Sequence, residues 1–166
     1  MQFVIKQLTT DHRPLTTIFM KLKVVWIGKT KEPAIQALTD DYVKRLAHYV
    51  DVEAVQVKDE SALLKFCAKD ARPTKHTLVL LDAGGKQLSS EELAKFLREH
   101  QERNPLPLLF AIGPADGFTD EARKAAGLVF SLSKMTLPHE LARIVLLEQL
   151  YRAFTILKGH PYHLGH

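Results

Sequence analysis

Short apolar runs that alternate with helical patterns are the feature that most restricts the fold of this chain. The runs HTLVLLD at 76–82 and PLLFAIG at 107–113 are almost continuously apolar and are bounded by polar residues or glycine. Runs of this length and composition are typical of strands buried on both faces of a sheet. Three further segments favour strands: KLKVVWIGK at 21–29, VEAVQV at 52–57 and GLVFSLS at 127–133.

The segments between these runs have the pattern of helices. Residues 32–49 place apolar side chains at three- and four-residue steps, which predicts an amphipathic helix. Ser89 and Glu92 form a capping box that opens a helix through about Gln101. Further helices are predicted over 60–70, from Thr119 onward and over 138–157. This alternation predicts an α/β fold with a mostly parallel sheet and helices on both faces.

Composition narrows the class of protein. A chain of 166 residues, 46% hydrophobic and 25% charged, is suited to one globular domain, which we place at 20–166. Residues 1–19 have no clean period, and we expect a flexible N-terminal extension there.

A formal net charge of +4 permits a polyanionic partner without requiring one. The single cysteine, Cys67, excludes a disulfide framework and a cysteine-based zinc site. No run approaches the roughly 20 apolar residues that span a bilayer, and no signal peptide is evident, so we expect a cytoplasmic protein without a membrane partner.

Three loops follow the predicted buried strands and are candidates for a ligand site. They are Asp82–Gly85, Gly113–Gly117 and Ser133–Pro138. In open α/β sheets, ligands bind beyond the carboxyl ends of the strands, and glycine permits close approach of the backbone. A tight turn without a ligand is the commoner explanation of any one of these glycines, but three such loops at corresponding strand ends favour a pocket. The sequence lacks the glycine-rich signatures of Rossmann dehydrogenases and P-loop NTPases, and the serine elbow of α/β hydrolases.

The last predicted helix is apolar around nearly its whole circumference between Leu141 and Leu157. A helix of this kind must be buried on most sides, so we expect one face to pack on the sheet and another on a second copy. Arg143, Glu148 and Arg152 interrupt this apolar surface. Glu148 and Arg152 have the spacing of an ion pair, and an arginine here could equally bind a phosphate or carboxylate.

Histidines recur at the C-terminus, at positions 160, 163 and 166. Pro161 and Gly165 oppose a continuous helix through them, and no acidic residue is near in sequence, so we expect no metal site. Tyr162 and His163 after the Gly-His-Pro turn are better explained as part of an active site, because neutral histidine is a competent general base near pH 7.

Longer strings in the chain are more specific. SLSKMTLPHELAR at 131–143 and LLEQLYRAFTILKGHPYH at 146–163 strongly resemble the bacterial large-subunit ribosomal RNA pseudouridine N3-methyltransferase family. That family belongs to the SPOUT, or α/β-knot, superfamily. The opening KLKVVWIGK, LLDAGGK at 80–86 and FAIGPADG at 110–117 support the resemblance, which runs in order from Met20 to His163.

The resemblance implies a deep C-terminal trefoil knot, a homodimer, and S-adenosyl-L-methionine (SAM) as cofactor. It implies as substrate a pseudouridine of large-subunit rRNA within the assembled ribosome. By motif matching, the cofactor-binding residues are Leu81, Gly113, Ser133, Lys134, Met135, Thr136, Leu137 and Pro138. The catalytic candidates are His163 as the base or its orienting group, Tyr162 on the target base, and Arg152 on a phosphate.

Two positions depart from the family pattern. Pro114 follows Gly113 where the family has a second glycine, and it removes a backbone N–H. Leu164 follows the Tyr-His pair where the family has a basic residue. Two alternative functions remain open: a SPOUT methyltransferase with another RNA target such as tRNA, and a non-catalytic module that binds RNA or the ribosome.

Overall fold

The computed structural model describes residues 20–71 and 75–164, except for the side chains of residues 163 and 164. The extension expected at residues 1–19 lies outside the described residues. Five parallel strands form one sheet in the order β2-β1-β4-β3-β5. The strands are β1 (Lys21–Ile27), β2 (Asp51–Val57), β3 (Thr77–Gln87), β4 (Leu108–Ile112) and β5 (Leu128–Ser131).

Helices cover both faces of this sheet. They are α1 (Pro33–Leu46), α2 (Glu60–Leu64), α3 (Ser90–Arg103), α4 (Asp120–Ala125) and α5 (His139–Leu157), followed by a 3₁₀ helix (Pro161–Leu164). The core is correspondingly divided into two apolar clusters. One holds alternate β4 residues with side chains of α1, α3 and α5, and the other holds the intervening β4 residues with side chains of α2 and α4. The prediction of an α/β fold with helices on both faces is therefore confirmed.

Two predicted elements differ in length from the observed ones. The helix expected over 60–70 ends at Leu64, because the Phe66 carbonyl accepts a hydrogen bond from the His76 backbone and the chain turns toward β3. The strand expected over 76–82 continues to Gln87, because Lys86 and Gln87 pair again with β5 after an irregularity. No helix among the described residues is long and apolar enough to cross a membrane. The trefoil knot stays a prediction.

The sheet order determines where a ligand can bind. β3, β4 and β5 are neighbours, so the loops at their carboxyl ends meet at one edge of the sheet. α5 begins at that same edge, directly after the loop that follows β5. It then packs along α1 and α3 on one face of the sheet.

Candidate active site

A cavity of about 760 Å³ lies beyond the carboxyl ends of β3, β4 and β5. The three loops singled out in the sequence converge on it, together with the first turn of α5. All but one of the predicted cofactor-binding residues line its wall: Leu81, Gly113, Ser133, Met135, Thr136, Leu137 and Pro138. The exception is Lys134, whose side chain is exposed and does not line the cavity.

The loop after β3 is organised by Asp82. One carboxylate oxygen accepts a hydrogen bond from the Gly84 N–H at 2.9 Å, and the other pairs with the Arg123 guanidinium at 2.7 Å. The Asp82 side chain is only 10% exposed, whereas that of Arg123 is 46% exposed, so solvent reaches this ion pair mainly from the arginine side. Both residues line the cavity, and neither was predicted as a site residue. The position of Asp82 directly after a buried apolar run was the available signal for it.

The packing of the sheet explains why position 85 in the same segment is glycine. A Cβ atom built there would lie 2.6 Å from the backbone of Phe130 in β5. The absent side chain therefore allows the close approach of two backbones, β3 and β5, and not the approach of a ligand.

The loop after β4 turns tightly around Gly113 and Gly117. A Cβ atom at Gly113 would lie 2.9 Å from the ring of Phe118, so the ring occupies the space that a side chain would need. Gly117 has φ +83°, a conformation that other residues rarely adopt. Its N–H donates to the Pro114 carbonyl at 3.0 Å, so Pro114, although it lacks an N–H, accepts the bond that closes the turn.

Two serine side chains shape the loop after β5. The Ser131 hydroxyl donates to the Ser133 carbonyl at 2.7 Å, and the Ser133 hydroxyl accepts from the Met135 N–H at 2.9 Å. These bonds fix the path of the segment that supplies most of the predicted cofactor contacts. Met135 is 75% exposed despite being apolar, and it lies at the cavity wall.

The first turn of α5 closes the cavity and holds a buried arginine behind it. His139 and Ala142 line the wall, and His139 was not predicted as a site residue. Arg143 is 1% exposed, stacks 4.1 Å above the Trp26 ring, and donates to the Thr30 hydroxyl at 3.0 Å. Burial lowers the pKa of this guanidinium from its ordinary value, and nearby Glu140 and Asp40 oppose the shift.

Arg152, Tyr162 and Glu148 form a second cluster on α5 and the 3₁₀ helix. Nε and Nη2 of Arg152 both donate to Oε1 of Glu148, at 3.0 and 2.6 Å, and the Tyr162 hydroxyl donates to the same oxygen at 3.3 Å. The guanidinium lies 5.1 Å from the centre of the Tyr162 ring, which packs edge-on against Tyr151. The hydrogen bond to Glu148 raises the pKa of Arg152, while burial and then Glu148 raise the pKa of Tyr162.

This cluster and the cavity are at different places along α5. Ala142 at the cavity and Arg152 in the cluster are ten residues apart, and a rise of ~1.5 Å per residue separates them by about 15 Å along the helix axis. Within one chain, the structure therefore brings Arg152 and Tyr162 together and leaves both away from the cavity. The backbone of His163 lies in the 3₁₀ helix beside Tyr162, and its side chain is outside the described part of the structure.

His160 takes part in the turn that leads into the 3₁₀ helix. Its Nδ1 accepts a hydrogen bond from the Tyr162 N–H at 3.2 Å. Among the described residues, no group of three or more histidine, cysteine, aspartate or glutamate side chains is arranged to hold a metal ion.

Known proteins resemble this chain both in sequence and in fold. A family profile described as "Predicted SPOUT methyltransferase" matches residues 20–163. A protein of Koribacter versatilis named ribosomal RNA large subunit methyltransferase H is 59% identical over 147 residues, which are 89% of this chain and all of that protein. A protein of the same name from Geotalea daltonii is 43% identical over 157 residues, covering 87% of this chain and 99% of its own length.

Solved structures show a related fold at low sequence identity. A probable methyltransferase from Bordetella pertussis superimposes with a TM-score of 0.52 at 13% identity, covering 82% of this chain and 96% of its own. The SpoU methyltransferase AviRb from Streptomyces viridochromogenes, solved with the cofactor AdoMet, gives a TM-score of 0.50 at 18% identity. That match covers 84% of this chain and 59% of the other. The profile match over residues 20–163 and the relative that is 59% identical show that the chain belongs to the SPOUT methyltransferase family.

Proposed function

We propose that this chain transfers a methyl group from SAM to large-subunit ribosomal RNA, at N3 of a pseudouridine in the assembled ribosome. The observation that carries the proposal is the convergence of three loops on one cavity in a chain 59% identical to a named rRNA large subunit methyltransferase. Ribosomes are cytoplasmic in bacteria, so the proposed place of action is the cytoplasm.

The cavity suits SAM in both size and lining. Its volume of about 760 Å³ falls within the range of roughly 300–1,000 Å³ that is usual for small-molecule sites. Its walls combine apolar side chains such as Leu81 and Leu137 with polar loop backbone, as a purine, a ribose and an amino-acid moiety require. The proposed cofactor contacts are therefore the residues of the predicted set that line the wall, without Lys134.

When bound, SAM supplies an electrophilic methyl group on its sulfonium. The acceptor N3 of pseudouridine is an imide nitrogen that carries a proton and becomes nucleophilic when that proton leaves. His163 is proposed to accept this proton or to orient the group that does, and Tyr162 to contact the target base. Glu148 positions both Tyr162 and Arg152 through its Oε1 atom.

The hydrogen bonds of Arg152 support assigning the proposed phosphate contact to one of its nitrogens. Nε and Nη2 are engaged by Glu148, and no hydrogen bond between Nη1 and the described residues is observed. Nη1 is therefore the proposed donor to an RNA phosphate, and Glu148 fixes the plane of the guanidinium from the other side.

A homodimer would bring the cavity of one copy next to the cluster of Arg152, Tyr162 and Glu148 of the other. Leu141, Val145, Glu148 and Arg152 follow one another at steps of four, three and four residues and so lie along one stripe of α5. Leu141 and Val145 are 49% and 37% exposed, although both are apolar. A second copy related by a twofold axis between positions 145 and 148 sets Leu141 of one α5 against Arg152 of the other. Arg152 and Tyr162 of each copy would then lie near the cavity of the other.

Methyl transfer from labelled SAM to assembled ribosomes tests the proposed function. Ribosomes whose large-subunit RNA lacks pseudouridine, and bulk tRNA, are the matched substrates. Label that maps to N3 of a large-subunit pseudouridine is the expected result. Label in tRNA would instead establish a different RNA target. SAM binding without label in any RNA would contradict the proposed activity, and no SAM binding at all would favour a non-catalytic module.

A further inference from the structure

A loop rich in lysine lies beside the cavity and has no role in the site described so far. This basic loop, residues 28–32, connects β1 to α1 and carries Lys29 and Lys31. Both lysine side chains are exposed, and neither ammonium group lies within 4.0 Å of a carboxylate among the described residues. Two cations without a carboxylate partner among the described residues are thus presented to solvent at one place.

The backbone of the basic loop is held at both ends and in the middle. Gly28 has φ +95°, and its N–H donates to the Val57 carbonyl at 3.0 Å, which ties the start of the loop to β2. The Thr30 hydroxyl accepts from Arg143, and the Lys31 N–H donates to the Glu140 carboxylate at 2.7 Å. Both of the latter bonds come from the first two turns of α5, the helix whose start forms the cavity wall.

Arg143 holds the loop at a cost in stability. Its Nε and Nη2 atoms, and the indole Nε1 of Trp26 beneath it, are buried without a hydrogen-bond partner among the described residues. A buried N–H group left unsatisfied typically costs about 1–3 kcal/mol, so an apolar residue here would cost less in stability. The guanidinium is the group that reaches from α5 to Thr30 while its carbon lies 4.1 Å from the centre of the Trp26 ring. Such an arrangement is expected where the position of the loop matters for function.

The basic loop and the cavity share their supporting residues. Trp26 is paired in the sheet with Ile112, which lines the cavity, and Arg143 directly follows Ala142, which also lines it. The side chain of Glu140, which fixes Lys31, lies next in sequence to His139 of the wall. The basic loop therefore follows β1 at the same carboxyl edge of the sheet as the cavity, and none of residues 28–32 is part of the cavity wall.

We propose that Lys29 and Lys31 bind the RNA backbone through its phosphates and that Arg143, acting through Thr30, positions the loop for this contact. The inference rests on the proposed function, because it takes RNA as the substrate. Lysine and arginine contacts to phosphates position a nucleic acid without reading its sequence, and they make binding dependent on salt. These residues would thus set the affinity for the ribosome and leave SAM binding and the chemical step unchanged.

The test compares wild type with the double variant Lys29→Ala/Lys31→Ala. Methyl transfer to assembled ribosomes is measured as kcat and KM, and binding of ribosomes is measured by filter retention between 50 and 200 mM salt. We expect KM to rise roughly tenfold with kcat retained, and the slope of log affinity against log salt to fall by about 1.5, as the loss of two phosphate contacts predicts. The dissociation constant for SAM should not change.

The double variant Lys65→Ala/Lys69→Ala is the matched control. It removes the same two charges from exposed positions after β2, on the segment that leads to the opposite edge of the sheet. We expect it to keep the wild-type KM and salt slope. An equal effect of both double variants would overturn the inference, because net charge alone would then explain the affinity.

Thr30→Val tests the positioning role of Arg143 without altering the buried guanidinium itself. It removes the acceptor at 3.0 Å and keeps the shape of the side chain. We expect a rise in KM for ribosomes with an unchanged SAM affinity, together with a lower melting temperature, because Nη1 of Arg143 then loses its acceptor. If Lys29→Ala/Lys31→Ala and Thr30→Val both keep the KM and the salt slope of the wild type, the inference is overturned. The proposed function still stands in that case, because the wild-type protein methylates its RNA. Failure of the wild type to bind or methylate any RNA would overturn both.

Discussion

Glu148 accepts two hydrogen bonds from Arg152 through a single carboxylate oxygen, at 3.0 and 2.6 Å. The same oxygen accepts from the Tyr162 hydroxyl, so one acidic side chain fixes two of the predicted catalytic residues. The sequence suggested an ion pair or a phosphate ligand at these positions. The structure shows that the ion pair is formed and that Nη1 of Arg152 makes no hydrogen bond to the described residues.

Replacing Glu148 by glutamine should therefore lower activity without unfolding the protein. The amide keeps one acceptor oxygen and loses the charge that orients Arg152, so we expect kcat to fall roughly tenfold. SAM affinity should remain at the wild-type value, because Glu148 does not line the cavity. Single-turnover methyl transfer and calorimetric SAM binding check these outcomes.

Glu99→Gln is the matched control for this substitution. Glu99 pairs with Lys95 at 3.9 Å on α3, and an exposed pair of this kind contributes little to stability. We expect wild-type kcat from it. Wild-type kcat in Glu148→Gln as well would contradict the positioning role of Glu148.

Mixing two inactive variants should restore activity if each site is shared between two copies. Arg152→Ala removes the guanidinium from the cluster of Arg152, Tyr162 and Glu148, and Ala142→Phe places a ring in the cavity from the start of α5. In a one-to-one mixture of exchanging dimers, half are mixed, and each mixed dimer holds one intact site. We expect about one quarter of the wild-type activity.

The complementation assay needs both parents to fold and to be inactive alone. Circular dichroism establishes that each parent folds, and methyl-transfer assays of each parent alone establish that both are inactive. Activity that stays at the level of the parents, although native mass spectrometry shows that mixed dimers form, would contradict a site shared between two copies.

Gly85→Ala should destabilise the protein more than the neighbouring Gly84→Ala. The new methyl group at position 85 would lie 2.6 Å from the Phe130 backbone, which cannot move without breaking the pairing of β3 with β5. We expect a loss of about 3 kcal/mol in the free energy of unfolding, as for severe overpacking. At position 84 the nearest atom is a side-chain oxygen of Asp82 at 3.3 Å, which can shift. Urea unfolding of both variants measures the difference, and equal losses would contradict the explanation.

Cys67 should be unreactive toward thiol reagents in the native protein near pH 8. Burial raises the pKa of its thiol to about 11, so the thiolate that reacts is scarce at that pH. The rate of reaction with a disulfide reagent should rise with pH toward a midpoint of about 11, whereas the urea-unfolded chain should titrate nearer 8.5.

The same shift has a consequence for stability at high pH. Between the unfolded and folded pKa values the native state retains a proton that the unfolded state has lost, so the free energy of unfolding falls as pH rises through this window. Cys67→Ala should lack this part of the decline. A native thiol that titrates near 8.5 would contradict the assigned burial.

The sequence by itself determined the class of fold, the order of its elements and the family. Continuous apolar runs such as 107–113 can be stable only between two layers of helix, and the long strings at 131–163 are specific enough to identify relatives. The loops of the cavity were also predictable, because strand ends in a parallel sheet fall at one edge.

Only the tertiary structure decided which groups meet. The pairing of Asp82 with Arg123, the role of Gly85 in backbone contact and the burial of Arg143 depend on elements brought together from far along the chain. The placement of Arg152 about 15 Å along α5 from the cavity follows from the direction of one helix, and no local pattern encodes where that helix begins relative to the sheet edge. Local periodicity determines which face of an element is buried, whereas distances between sites are determined by how the elements pack.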